Sequence, residues 1–229
     1  MEDEARYPQV AAVHMAGESF YAQAVEHFVE RGRKRIAMIA PASPGTIQIE
    51  HYQQLMAEPG LESRPYWLQH VEIGSAFTAR NCVHMMMKLP AEDRPDALVI
   101  TDDNLSLHVQ MGLIDARIDV PGELEVITHC NYPSVPQRLL PMTLLGFDTV
   151  KVLERCLDAI DAQRRGEPAK SPKPLTVEFE RDYLATQGSE VRERMVADDL
   201  HAATSPGMEG GAVASMVNYT AFPTLGARR

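Results

Sequence analysis

Short apolar runs alternate with amphipathic stretches along most of the chain. The apolar runs have the length and composition of buried strands and lie at Ile36–Ala40, Leu68–Ile73, Ala97–Thr101 and Leu124–Thr128. The stretches between them carry apolar residues at helical spacing and lie at Gly17–Arg31, Thr46–Ala57, Ala79–Leu89 and Asn104–Ala116. Because strands that alternate with helices form βαβ units, the pattern predicts an α/β fold whose parallel sheet is flanked by helices on both faces.

The pattern is less regular at both ends of the chain. A short apolar run at Gln9–His14 predicts one more strand before the first helix. After the proline-rich connection Tyr132–Pro141, an apolar run, a helix and an alternating strand are predicted at Met142–Phe147, Thr149–Gln163 and Leu175–Phe179. Residues 1–8 and 187–229 have weak periodicity, which predicts a disordered lead and a mostly disordered tail around a domain at residues 9–186.

Composition narrows the functional classes. The 229 residues are 45% hydrophobic, which suits a packed core, and carry a formal net charge of −10. Nonspecific affinity for nucleic acid comes mainly from Lys and Arg, so this charge argues against a chain that grips a phosphate backbone by itself. The three cysteines lack metal-ligand spacing, and the sequence shows neither a signal peptide nor a membrane-spanning stretch. These features predict a cytoplasmic protein with reduced thiols.

Polar side chains follow two of the predicted strands. Asp102 and Asp103 come directly after Ala97–Thr101, and His129 and Asn131 follow Leu124–Thr128. Open α/β sheets bind ligands at the carboxyl ends of their strands, so these residues predict a small-molecule site. We expect Asp103 to be the N-cap of the following helix and Asp102 to contact the ligand.

Catalysis and metal binding have weaker support in the sequence. His129 and Cys130 are neighbours on a strand, so their side chains point to opposite faces and the histidine cannot easily activate the thiol. No further acidic residues cluster around Asp102 to complete a metal site. There is no glycine-rich phosphate loop and no G-x-S-x-G sequence, so we expect no cofactor, no metal and no enzymatic activity.

Four segments, in order, resemble one protein family. His27–Ile39 (HFVERGRKRIAMI) is similar to the HLIERGHRRIAFI signature of lactose- and galactose-repressor-type (LacI/GalR) transcription regulators. Pro95–Leu113, Val120–Asn131 and Leu139–Phe147 are similar to the family segments PDAVFASDDLMALGVLRAL, VPEDLSVIGYDN and PPLTTVRQ. The similarity runs over roughly Gln9–Thr186 and comprises four motifs in register.

The resemblance implies a type I periplasmic-binding-protein-like sensor, represented mainly by its carboxyl-terminal subdomain. The family begins with a helix-turn-helix, a hinge helix and several βα units, and no segment of this chain matches them. The implied function is to sense a small-molecule effector, with a sugar or a nucleoside as the expected class. The implied partner is a second copy of the chain, and DNA would be contacted only through a helix-turn-helix absent from this sequence.

The resemblance also implies ligand-contacting positions. Asp102 and Asp103 match a pair of residues that reaches the ligand or caps the helix. Phe147 lies at the crossover between the two subdomains, and Phe77 lies in a loop that often carries an aromatic residue. Gln48 stands where the family usually has an arginine that clamps the effector, and Cys130 stands where it often has an aspartate. The glutamine keeps a donor and an acceptor but loses the charge, which disfavours an anionic effector.

The predicted helix Thr149–Gln163 would normally pack on the other subdomain, as would the strand Gln9–His14. Without that subdomain they would expose apolar surface and unpaired strand edges. We therefore expect the chain to self-associate, to rearrange these parts, or to be a fragment of a longer product. The leading interpretation is the effector-sensing part of a regulator. A stand-alone ligand-binding or oligomerisation module is the alternative, and an α/β enzyme that uses Asp102 is a third.

Overall fold

The computed structural model describes residues 11–42, 47–57, 60–168 and 170–187, without the side chains of residues 47–51. The predicted lead at residues 1–8 lies outside the described residues, as does the predicted tail at residues 187–229 except for its first residue, which ends a helical segment. Within the described part, no helix has the length and apolarity needed to cross a bilayer.

A six-stranded sheet forms the centre of the fold, in the order β2-β1-β3-β4-β5-β6. Its strands are β1 (Ile36–Pro41), β2 (Leu68–Val71), β3 (Ala97–Ile100), β4 (Glu125–Tyr132), β5 (Thr143–Asp148) and β6 (Glu178–Phe179). The first five strands are parallel, and only β6 pairs in the antiparallel sense, against Leu145 and Gly146 of β5. The predicted α/β fold with a parallel sheet flanked by helices is confirmed.

The α-helices alternate with these strands. They are α1 (Gly17–Glu30), α2 (Ile47–Met56), α3 (Phe77–Met86), α4 (Asp103–Ala116) and α5 (Thr149–Arg164), followed by a final helical segment at residues 180–187. Single turns of 3₁₀-helix occur at Pro65–Trp67, Ile73–Ser75 and Ala91–Asp93. Capping residues fix the ends of several helices. Gly32, at φ +77°, follows the last turn of α1, and the Asp148 side chain accepts from the backbone N–H of Val150 at the start of α5.

Both faces of the sheet are covered by apolar packing. Alternate residues of β1, such as Ile36 and Met38, pack with α1 and α2 on one face. The intervening residues, such as Ala37 and Ile39, pack with α3 and α4 on the other. Strands buried on both faces read as continuous apolar runs, which explains why each run was visible in the sequence.

The predicted strand Gln9–His14 is wrong where it can be checked. Residues 11–14 have no regular structure, and residues 9 and 10 lie outside the described part. Only the next residue, Met15, forms an isolated bridge, with Leu175. A single bridge supplies too few ladder hydrogen bonds to hold an extended strand. The predicted strand Leu175–Phe179 is likewise shortened to Glu178–Phe179.

The exposed side of α5 carries the apolar surface that was predicted from its sequence. Leu153 and Leu157 are 63% and 62% exposed, and Val150 and Ile160 are also exposed. The opposite side holds the helix to the domain, where Val152 packs against the sheet and Lys151 binds Glu178 at 3.1 Å. One side of α5 therefore packs on the domain, and a second apolar side is exposed.

Gln110 is a fully buried polar residue on α4. Its Oε1 accepts hydrogen bonds from the backbone N–H groups of Leu139 (2.6 Å) and Leu140 (3.0 Å), and its Nε2 donates to the Gln137 carbonyl (2.8 Å). One side chain thus satisfies three backbone groups of the proline-rich connection and fixes its course over α4.

We expect Gln110→Leu to lower the free energy of unfolding by about 2–4 kcal/mol, because several partly buried backbone groups lose their partner. Urea denaturation measures the change. Gln53→Leu is the matched control, since Gln53 is an exposed helical glutamine and should change stability by less than about 0.5 kcal/mol. Equal effects of the two substitutions would show that the Gln110 contacts do not stabilise the connection.

Candidate ligand-binding site

The sheet reverses its winding direction between β1 and β3. The chain goes from β1 outward to β2 and then crosses back to β3 on the other side of β1. At such a point the loops that follow the two central strands diverge and leave a crevice, which is where open α/β sheets bind ligands. Asp102 and Asp103 follow β3 directly, so the strand order places the predicted carboxylates at this crevice.

The structure assigns the helix cap to Asp102 and not to Asp103. Asp102 is the N-cap of α4, in extended backbone conformation (φ −145°, ψ 129°), and its carboxylate accepts from the Asn104 backbone N–H at 2.9 Å. Asp103 is the first residue of the helix, so its expected role as N-cap is wrong. Its side chain is free of capping and faces the neighbouring strand, which makes Asp103 the better placed of the two for a ligand.

A hydrogen bond joins the ends of β3 and β4. Asn131 Nδ2 donates to Asp103 Oδ2 at 3.2 Å. The pair was predicted from sequence as two separate strand-end residues, and the structure brings them into contact. Asp103 Oδ2 can accept a further hydrogen bond, and Asn131 keeps its amide oxygen, so together they present acceptors to a ligand with hydroxyl or amine donors.

His129 lies on β4, two residues before Asn131, and its ring is between two phenylalanine rings. Its ring centroid is 5.5 Å from that of Phe20 on α1 and 6.0 Å from that of Phe147 on β5. Burial lowers the pKa of His129, although the negative charges of Asp103 and Asp102 act in the opposite direction. The imidazole is therefore mainly uncharged at pH 7 and packs against two buried phenylalanine rings.

Cys130 points to the opposite face of β4. It is fully buried with Tyr132, Leu144 and Tyr183, and burial raises the pKa of its thiol to about 11. The expectation that His129 cannot activate Cys130 rests on strand geometry, and the two side chains do lie on different faces. A thiol that stays protonated at neutral pH is also a poor nucleophile.

The structure does not bring Phe77 into this group, and it does not describe the side chain of Gln48. Phe77 begins α3, beyond the end of β2, and is 60% exposed. Two strand spacings separate β2 from β3, about 10 Å. Gln48 lies in the first turn of α2, just past β1, but its side chain is outside the described residues.

Sequence reasoning missed the contribution of α1. Phe20 is buried against His129, and Tyr21 lies beside Thr101 at the end of β3. Burial raises the pKa of the Tyr21 hydroxyl, and the Thr101 side chain acts in the opposite direction. Both aromatic residues belong to the apolar stripe of an amphipathic helix, so nothing in their spacing distinguished them from ordinary core. Among the described residues, no group of three His, Cys, Asp or Glu side chains could hold a metal ion.

A groove lies on another part of the surface, away from the carboxyl edge of the sheet. An open groove of about 500 Å³ runs between α1 and the amino end of β5, where Phe179 stacks on His27 at 5.1 Å. Its lining mixes Glu26 and Glu30 with Arg31. It is distant from the winding reversal and holds none of the predicted residues, so we take the carboxyl edge as the candidate site.

The fold is that of a periplasmic-binding-protein-like domain. The family model of the periplasmic binding protein-like domain matches residues 25–181. The chain belongs to this family, and the resemblance to LacI-type regulators is confirmed.

The relatives include an uncharacterised helix-turn-helix transcriptional regulator, YkvZ, of Bacillus subtilis, which is 21% identical over 72% of this chain and 50% of its own length. The transcriptional repressor PurR of Actinobacillus pleuropneumoniae is 26% identical over 68% of this chain and 46% of its own length. These relatives are named as transcriptional regulators and not as enzymes.

Solved structures agree on the fold. A LacI-family regulatory protein from Chloroflexus aggregans aligns with a TM-score of 0.65 at 21% identity, over 74% of this chain and 61% of that one. A LacI-family regulator from Lactobacillus casei with bound glucose aligns with a TM-score of 0.59 at 17% identity, over 72% of this chain and 62% of that one. The curated relatives named above are longer, and this chain spans about half of their length.

Proposed function

We propose that this chain is the effector-sensing part of a LacI-type transcriptional regulator and binds a small molecule at the carboxyl edge of its sheet. The observation that supports it best is the Asp103–Asn131 pair at the carboxyl ends of β3 and β4, two residues along β4 from His129. Acceptor groups beside an imidazole ring suit a polyhydroxylated ring, as in a sugar or a nucleoside. The glucose in the Lactobacillus casei neighbour is consistent with that class.

In this proposal the effector acts by shifting a conformational equilibrium. A ligand changes an equilibrium only through its different affinities for the two states. The site contributes to that difference because its residues come from the ends of β3, β4 and β5, whose loops would close on a ligand. DNA would be contacted through a helix-turn-helix outside this chain, in the cytoplasm, and this chain would carry no catalytic step.

We also propose a second copy of the chain as a partner, seated on α5. Val150, Leu153, Leu157 and Ile160 recur at the alternating spacing of three and four that forms a coiled-coil seam. This exposed seam is also the observation that favours the alternative function, a stand-alone ligand-binding or oligomerisation module.

The proposed function predicts ligand-dependent stabilisation. In a panel of monosaccharides and nucleosides, at least one compound should raise the melting temperature. At a free concentration 100 times Kd the gain is about 2.7 kcal/mol, which for a domain of this size is a rise of roughly 5–10 °C. Thermal denaturation with and without each compound measures it.

Asn131→Ala should remove most of that rise, because it deletes one polar side chain of the site and leaves Asp103 unpositioned. Asn81→Ala on the exposed side of α3 is the control and should keep it. A rise that survives Asn131→Ala would place the ligand elsewhere. No rise with any compound of the panel would contradict the effector-sensing function.

A further inference from the structure

The described side chains at the carboxyl edge of the sheet include no basic residue. They belong to residues 14–21, 41–42, 52–56, 72–79, 101–110, 129–137 and 147–150, which follow the strands or begin α1, and none of these residues is a Lys or an Arg. The same residues include five carboxylates, at Glu18, Glu72, Asp102, Asp103 and Asp148.

Basic residues gather instead at the opposite edge, where the strands begin. Arg31 and Arg33 contact Glu125 at 3.0 and 3.3 Å, at the first residue of β4. Arg35 contacts Asp96 at 3.6 Å, just before β3. These cations are paired there and cannot reach the ligand site, because the length of the sheet lies between.

The nearest cation in sequence to the site is also engaged. Lys151 follows the β5 end, and its ammonium lies 3.1 Å from Glu178 and 3.5 Å from Asp148. Asp103, in contrast, receives hydrogen bonds from the neutral side chains of Asn131 and Asn104. Its charge is therefore not balanced by a described side chain of opposite charge.

Two other sources of positive charge could offset the carboxylates, and both are weak here. The N-terminus of α4 supplies about half a unit charge, and the Asp102 side chain already caps it. His129 contributes no charge at neutral pH, because burial lowers its pKa. One half-charge against two full carboxylates leaves the centre of the site negative.

We infer that the site takes a cationic ligand, a polyhydroxylated or heterocyclic small molecule that bears a protonated amine facing Asp102 and Asp103. The inference rests on the proposed function for the existence of the site and adds the charge of its ligand. An ammonium group donates three hydrogen bonds and suits carboxylate acceptors on one side, while the ring of the ligand packs on the ring of His129. A phosphorylated or carboxylated ligand would be repelled.

Matched ligand sets test the inference. Each set has one frame in three forms: a neutral sugar, its amino sugar and its sugar phosphate, with glucose, glucosamine and glucose 6-phosphate as the first set and galactose and ribose frames as the others. Calorimetric titration at pH 6.5 and low salt gives the affinities. The amino form should bind about tenfold or more tightly than the neutral form, as a single ion pair near a protein surface allows, and the phosphate form should bind most weakly.

Two failures are distinguishable. If a neutral or phosphorylated form binds as tightly as its amino form, the inference is wrong while the proposed function stands. If no member of any set binds and no compound of the monosaccharide and nucleoside panel raises the melting temperature, both are wrong.

A charge-removing variant tests the cause of the preference. Asp102→Asn combined with Asp103→Asn removes two charges, and Asn caps a helix as well as Asp does, so α4 should keep its start. The ratio of amino to neutral affinity should then fall to about one. Asp158→Asn, on the exposed side of α5, removes a charge outside the site and should leave the ratio unchanged. A preference that persists in the double variant would overturn the assignment to these carboxylates.

Discussion

Gly146→Ala is expected to prevent stable folding. Gly146 in β5 pairs with Cys130 in β4, and a Cβ atom at position 146 would lie 1.9 Å from the Cys130 carbonyl oxygen and 2.7 Å from its Sγ. The nearest atom belongs to the backbone of an adjacent strand, which cannot move without breaking the ladder. The cost should exceed the roughly 1–3 kcal/mol of ordinary overpacking. Soluble yield and urea denaturation measure the effect.

Gly74→Ala is the matched control for that substitution. Gly74 lies in the turn of 3₁₀-helix after β2, and nothing lies within 4 Å of a Cβ atom built on it. Its alanine variant should unfold within about 0.5 kcal/mol of the wild type. If Gly146→Ala unfolds at the same urea concentration as the wild type, the close approach of β4 and β5 at this position is not present in solution.

Replacing both Leu153 and Leu157 by Lys is expected to dissociate the chain into monomers. Burial of one leucine side chain stabilises an interface by roughly 1.5–3 kcal/mol, and a symmetric seam on α5 would bury four of them. The dissociation constant should rise by about 100-fold or more. Sedimentation velocity over a concentration series measures it, and the folded domain should persist because both side chains are exposed.

Asp158→Lys controls for charge in that experiment. It changes the net charge by two units, as the double leucine variant does, and lies on the same helix beside the seam. Self-association should survive it. A wild-type chain that is monomeric and melts cooperatively at every concentration would contradict the proposal of a second copy on α5.

The regular part of the fold was predictable because its causes are local. The helix predicted at Gly17–Arg31 occurs at Gly17–Glu30, and the strand predicted at Ile36–Ala40 extends by a single residue. Because both faces of the sheet are buried, each strand is a continuous apolar run in the sequence, and Gly32 marks the end of α1. The β4 strand was underestimated, since its last residues are extended by pairing with β5 and not by their own composition.

The candidate site was predictable in position and less so in detail. Strand ends are visible in sequence, so Asp103, His129 and Asn131 could be placed at one edge. Which of two adjacent aspartates caps α4 depends on which adopts the extended conformation, and the two are chemically identical. Phe20 and Gln110 were missed for the same reason: a phenylalanine on an apolar stripe and a glutamine on a helix show no sign of a special contact until a neighbouring element is in place.

The separation of charge between the two ends of the strands has a kinetic consequence. Carboxylates balance the arginines where the strands begin, whereas Asp102 and Asp103, where β3 ends, have no described basic partner, so the negative pole of the domain along the strand direction lies at the proposed site. A small cation in solution would be drawn toward that pole before contact, while an anion would be turned away. Dissolved salt would shorten the reach of this field to about a Debye length. The speed of capture would therefore depend on ionic strength, while the residence time of a bound molecule, set by short-range contacts, would depend on it far less.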